Sequence, residues 1–166
     1  MNVEVVKFKC ERLRGLWQDF CSKHSELYEL TCDEYMHLLA SEIEELEQTI
    51  ENKKALISFI NGLDDLRDEL ISDLCESLGI PPQARLLELT ECLRIAEFNS
   101  EADQIEKLNL LLLDIVEKIQ TQNKKNQIFL NKALHSLGEL KASFTGNKVY
   151  NTYSSSGGIN RSSKGY

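Results

Sequence analysis

The sequence predicts an all-α fold: an elongated antiparallel helical bundle or coiled coil of three long helices plus one short helix, with a flexible C-terminal tail. Three observations carry this. Apolar residues recur at alternating steps of three and four through most of the first 144 residues. Only 2 Pro and 8 Gly interrupt 166 residues, and the two prolines stand together at 81 and 82. From residue 145 onward the periodicity gives way to Ser, Gly, Asn and Tyr.

Helix 1 is predicted over about 4–30. Val5, Phe8, Leu13, Leu16, Trp17, Phe20, His24, Leu27 and Tyr28 keep nearly helical spacing, and Gly15 is the weak link. Thr31-Cys-Asp-Glu34 reads as a capping box, with Leu30 and Tyr35 in the positions of a hydrophobic staple, so a new helix is expected to start near Cys32.

Helix 2, over about 32–78, carries Tyr35, Leu39, Ile43, Leu46, Ile50, Lys53, Ile57, Ile60, Leu63, Leu70, Leu74 and Leu78 as a coiled-coil-like seam. Asn61-Gly62 is its one expected kink. Gly79 suits the left-handed C′ position, Ile80 is the apolar residue after it, and Pro81-Pro82 prevent continuation.

Pro82 is expected in the first turn of helix 3, about 82–98, which Leu86, Leu87, Leu89, Leu93 and Phe98 would bury. Ser100-Glu-Ala-Asp103 then reads as a second cap. Helix 4, about 101–144, has the cleanest seam: Ile105, Leu108, Leu112, Ile115, Ile119, Gln122, Asn126, Leu130, Ala133, Leu137, Leu140 and Phe144. Helices 2 and 4, at roughly 70 and 66 Å, would pack side by side, with helix 1 along part of the pair and helix 3 capping one end. The domain organisation is one bundle over 1–144 and a basic Ser/Gly/Tyr tail over 145–166.

Charge narrows the function. Lys and Arg number 19 against 27 Asp and Glu, a net charge of −8 that opposes nucleic-acid binding. The tail holds Lys148, Arg161 and Lys164 and no acid, which leaves sixteen cations against 27 acids, a balance of −11, on the first 144 residues. Met1 to Cys10 lacks the apolar core of a signal peptide, and Leu108 to Ile119 is too short and too charged to span a bilayer, so neither secretion by that route nor membrane insertion is expected. Five scattered cysteines fit a reduced cytoplasmic protein better than a disulfide framework.

Catalytic chemistry finds little support. No phosphate-binding loop, dinucleotide glycine pattern or nucleophile elbow occurs. A di-iron bundle needs two Glu-x-x-His motifs, and only Glu34-Tyr-Met-His37 is present. Cys10, Cys21 and Cys32, eleven apart with His24 and His37 nearby, lack the paired two-residue spacing of a zinc site and read as small buried hydrophobes. Asn160-Arg-Ser162 has the form of a glycosylation acceptor but no secretory context. No enzyme, no cofactor and no metal are expected.

Two apolar features exceed what a bundle needs. Leu110 to Leu113 put leucine all round helix 4, so that stretch is either buried on every side or exposes a patch awaiting a partner, with burial against helices 1 to 3 the expectation. Ile128, Phe129, Leu130, Leu134, Leu137, Leu140 and Phe144 make a broad band running into the tail, a groove for an amphipathic helix where helices 1 and 3 leave it uncovered.

Four stretches resemble the FlgN-type flagellar type III export chaperones. Glu51-Asn-Lys53-Lys-Ala-Leu56-Ile57-Ser-Phe-Ile60 resembles a helix 2 segment of that family, and Asp65-Leu-Arg67 through Leu78-Gly79-Ile80 its continuation. Asn123-Lys-Lys-Asn126-Gln-Ile-Phe-Leu130 is similar to the family's double-asparagine helix. Asn151-Thr152-Tyr153-Ser-Ser-Ser-Gly157 resembles its Thr-Tyr-…-Gly tail, with three serines where the family often has Gly, Asp or Ala.

The resemblance implies a cytoplasmic chaperone for hook-associated proteins 1 and 3, the hook–filament junction proteins, that shields their amphipathic terminal helices and delivers them to the export gate. Asn126, Phe129, Leu130, Leu134, Leu137, Leu140, Phe144, Val149 and Tyr150 would then contact the client, and Tyr153 with Gly157 would dock on the cytoplasmic domain of the export-gate protein. A homodimer that hides the band in the absence of client stays open, and a non-enzymatic coiled-coil adaptor that tethers two proteins is the alternative function.

Overall fold

A computed structural model describes residues 2–82 and 84–144. Four α-helices follow one another: α1, Val3–Ala40; α2, Ile43–Leu78; α3, Leu86–Ile95; and α4, Asn99–Phe144. No strand occurs among the described residues. Residues 1–126 form one compact unit and 127–166 a second, so the division falls inside α4. Of the second unit the structure describes 127–144, the last turns of α4. The expected tail, 145–166, lies outside the described residues.

Asn2 caps α1 by accepting the Glu4 amide at 3.1 Å. The helix does not stop at Thr31. That side chain is fully buried and its hydroxyl donates to the Leu27 carbonyl at 2.7 Å, one turn back, so it is not available to cap a new helix. Glu34, the other half of the expected box, pairs with Lys53 of α2. α1 instead runs 38 residues to Ser41, which takes the left-handed conformation (φ 59°) and donates its amide to the His37 carbonyl. Consequently α1 and α2, at 38 and 36 residues, are the matched pair, and α4, at 46, is longer than either.

α2 passes through Asn61-Gly62 as one helix and ends where expected. Gly79 is left-handed at φ 71°, and the Ile80 amide reaches back to the Cys75 carbonyl at 3.0 Å, which makes a Schellman closure. Pro82 lies in the connecting turn instead of the first turn of α3, which starts at Leu86 after the Arg85 amide has been capped by Glu88 Oε2 at 3.0 Å. Glu97, also left-handed, turns the chain into α4, which begins at Asn99, two residues before the expected start. Ser100 therefore sits inside the helix, where it accepts from Gln104.

Within residues 1–126, cross-links fix the helix directions. Lys9 Nζ meets Asp73 Oδ1 and Ser77 Oγ, each at 2.7 Å, while Glu34 pairs with Lys53, so α1 and α2 are antiparallel. Arg14 donates to Gln104 at 2.8 Å, Trp17 to Asn109 at 3.3 Å and Asn126 to the Thr31 carbonyl at 2.9 Å, so α4 runs parallel to α1. α3 does not cross the end of the bundle. Arg94 bonds Asp103 and Glu106, while Leu86 and Leu87 share a groove with Leu110, so α3 lies antiparallel along the start of α4.

The core joins Val6, Cys10, Leu13, Trp17 and Phe20 of α1 to Leu56, Ile60, Leu63, Leu70 and Leu74 of α2. Leu89 and Leu93 of α3, and Ala102, Ile105, Ile115 and Ile119 of α4, belong to it as well. The buried faces differ from the expected seams by one residue in two places. Val6 is buried where Val5 and Phe8 are exposed, and Leu56 where Ile57 is exposed. In α2 the seam begins at Thr49, and Ile43 stands in solvent.

Candidate functional site

The side chains weighed above as metal ligands and set aside are engaged in the fold. Glu34 belongs to Lys53, and His37 Nδ1 lies 2.9 Å from Glu42 Oε2 across the turn between α1 and α2. Cys10 and Cys21 face the core; burial, reinforced by Glu101, pushes the Cys10 thiol up to about 11, and burial also raises Cys21. Cys21 donates weakly to the Leu108 carbonyl. Among the described residues no three His, Cys, Asp or Glu side chains are grouped to share a metal ion, and no helix is long and apolar enough to cross a membrane.

The seam of α4 changes character at Asn126. Before it, Ile105, Ile115 and Ile119 are buried. Asn126 itself is 3 % exposed; it donates to the Thr31 carbonyl and accepts from Gln122 Nε2 at 3.0 Å. One helix away, Lys53 ties Glu34 of α1 to Asn123 of α4. A buried amide engaged on both sides stabilises the bundle.

Beyond Asn126 the same stripe is open. Leu130, Leu134, Leu137 and Leu140 are 38, 58, 62 and 54 % exposed, and Ile128 is exposed beside them. Steps of four, three and three keep these leucines on one side of the helix. Phe129 is half-buried and engaged in contacts of its own. Phe144 ends α4, and its side chain, like Val149, Tyr150, Tyr153 and Gly157, lies outside the described residues.

The leucine run of α4 takes the second of its two readings, an exposed patch. Leu110 and Leu113 face solvent, as does Leu111, so the expected burial of that run holds for Leu112 alone, and then only in part. Leu87 of α3 is exposed as well. Its signal was present: two adjacent leucines in a ten-residue helix point about 100° apart, and one neighbour cannot cover both.

Residues 9–161 match the family model described as FlgN protein. No curated protein and no solved structure matches the chain.

Proposed function

The chain belongs to the FlgN protein family, a family of flagellar export chaperones, and from that premise we propose that it is a cytoplasmic chaperone for hook-associated proteins 1 and 3. The observation that supports this reading is the exposed stripe of Leu130, Leu134, Leu137 and Leu140 on the last turns of α4. An apolar stripe at helical spacing is what an amphipathic client helix needs in order to bury its own apolar face. Each Å² covered contributes about 25 cal/mol before the cost of ordering the client. The client is shielded and not chemically altered. Tyr153, with Gly157, is the tail position through which the loaded chaperone docks on the cytoplasmic domain of the export gate, and Phe144, Val149 and Tyr150 extend the client surface toward it.

The test is co-expression with the C-terminal segment of a hook–filament junction protein, followed by size-exclusion chromatography with light scattering. A stable complex is expected from the wild-type chain and none from Leu134→Asp/Leu137→Asp, with helicity unchanged because both positions are exposed. A double variant that binds as tightly as wild type removes the stripe from the mechanism. A wild-type chain that is folded but binds no client points to the tethering adaptor.

A further inference from the structure

The leucine run of α4 and the first turn of α3 form a second apolar surface, inside the first compact unit and separate from the stripe just described. A groove of about 290 Å³ is lined by Leu86, Leu87, Thr90, Glu106, Asn109 and Leu110. Leu87 is 74 % exposed, Leu110 66 % and Leu113 57 %. Leu110 and Leu113, three apart, share the side of α4 on which α3 lies, whereas Leu111 is turned about 160° from Leu113 and takes no part.

We propose that this surface is a self-association site, on which a second copy of the chain packs about a two-fold axis. Three observations select a second copy as the occupant. The first is shape: the patch carries both a groove and, one turn along α4, a projecting Leu113, so each copy supplies the side chain that the other's groove accepts, as a two-fold interface requires.

The second is charge. A protein of net charge −8 repels its own copies, but at this margin most of the charges are paired within the chain. Arg94 holds Glu106 and Asp103 at 2.6 and 3.0 Å, and Lys118 holds Asp114 at 2.7 Å. Lys107 adds one positive charge and Glu91 and Glu117 two negative ones, so the margin keeps an excess of one acid beyond its ion pairs. The start of α2 is different: Glu42, Glu44, Glu45 and Glu47 stand with no Lys or Arg from residue 38 to residue 52. An apolar face there would meet strong repulsion from its own copy.

The third is area. The three exposed leucines offer at most roughly 370 Å² per copy, or about 740 Å² for two when all of it is covered. At an apolar share of about 60 %, this corresponds to a total interface near 1,200 Å², the lower edge of specific association. The dimer is therefore reversible and concentration-dependent.

Sedimentation velocity on the full-length chain over a wide concentration range tests this, with Leu110→Glu/Leu113→Glu and, as a control of equal chemistry on the other side of α4, Leu111→Glu. Glutamate keeps helix propensity, and all three positions are exposed, so each variant should retain wild-type helicity. Wild type and Leu111→Glu are expected to dimerise with rising concentration, and the double variant to do so at least about tenfold more weakly, since each charge enters the symmetric contact twice. A wild-type chain that stays monomeric throughout overturns the proposal, and so does a double variant that dimerises like wild type. Loss of client binding by the double variant, in a wild-type chain that never dimerises, would reassign the groove to the client and equally overturn it. Leu134→Asp/Leu137→Asp, which tests the client surface, should leave self-association intact, so the two readings fail separately.

Discussion

The side-chain amide of Asn126 donates to the main-chain carbonyl of Thr31 at 2.9 Å, joining α4 to α1 across 95 positions of sequence. The two residues stand at the point where the buried seam of α4 ends, and Gln122 completes the arrangement by donating to Asn126 Oδ1. A buried hydrogen bond of this kind adds little net energy but resists alternative pairings of the two helices, because any slip leaves the amide without a partner.

Asn126→Ala is therefore expected to destabilise the protein by about 1–3 kcal/mol, since it leaves a void and deprives Gln122 of its acceptor. Asn126→Leu should cost less, because an apolar residue of similar size fills the site. Urea unfolding followed by circular dichroism ranks the three chains; a leucine variant less stable than the alanine variant would contradict this account.

The fork of Arg94 on Glu106 makes stability acid-sensitive. Arg94, aided by Thr90, lowers the Glu106 carboxyl from 4.5 to about 2. A carboxyl whose pKa is depressed by folding contributes stability that is complete above its unfolded value and is lost as pH falls through the folded one. Glu106→Gln should thus unfold at lower urea than wild type at neutral pH, and the two midpoints should converge between pH 4.5 and about 2. A difference that is constant down to the lowest pH would sink the assignment.

Backbone conformation predicts opposite effects at two helix ends. Gly79 is left-handed at φ 71°, and its replacement by Ala should cost about 1 kcal/mol. Ser41 takes the same conformation with a side chain, so Ser41→Gly should gain up to about 1 kcal/mol, less whatever the freer unfolded chain gives back. Thermal melts of both variants check the sign.

Burial governs the thiols. Cys10 and Cys75 are enclosed and their pKa values raised by burial. Alkylation of the folded protein at pH 8, read by peptide mass spectrometry, should label the half-buried Cys32 and Cys92 first and reach Cys10 and Cys75 only as fast as the protein opens.

What could be read from the sequence was whatever local stereochemistry decides alone. The Gly79-Ile80-Pro81 stop is of that kind, because no helix continues through it at low cost. The boundary between α1 and α2 was not. Thr31-x-x-Glu34 has the composition of a cap, but Thr31 is buried by tertiary packing against Asn126 and Glu34 is drawn to Lys53, while the true stop rests on a strained serine that carries no compositional signal. Periodicity also leaves the face ambiguous wherever apolar residues are adjacent, as at Val5-Val6 and Leu56-Ile57, and three-dimensional neighbours decide it. The stripe from Leu130 to Leu140 was visible as a pattern. Its exposure was not, for a helix shows which residues share a side but not whether anything lies against them.

The parallel alignment of α1 with α4 sets the order in which the chain can assemble during synthesis. The α1–α2 hairpin closes over a short turn at Ser41 and can form once Asp73 and Ser77 are available to Lys9. Trp17, Cys21 and Thr31 find their α4 contacts only with Asn109, Leu108 and Asn126, some ninety residues later. At about 5–20 residues per second, the nascent hairpin waits several seconds with one side of its core uncovered. A member of a chaperone family thus passes through an interval on the ribosome when the apolar side of its own first helix is uncovered.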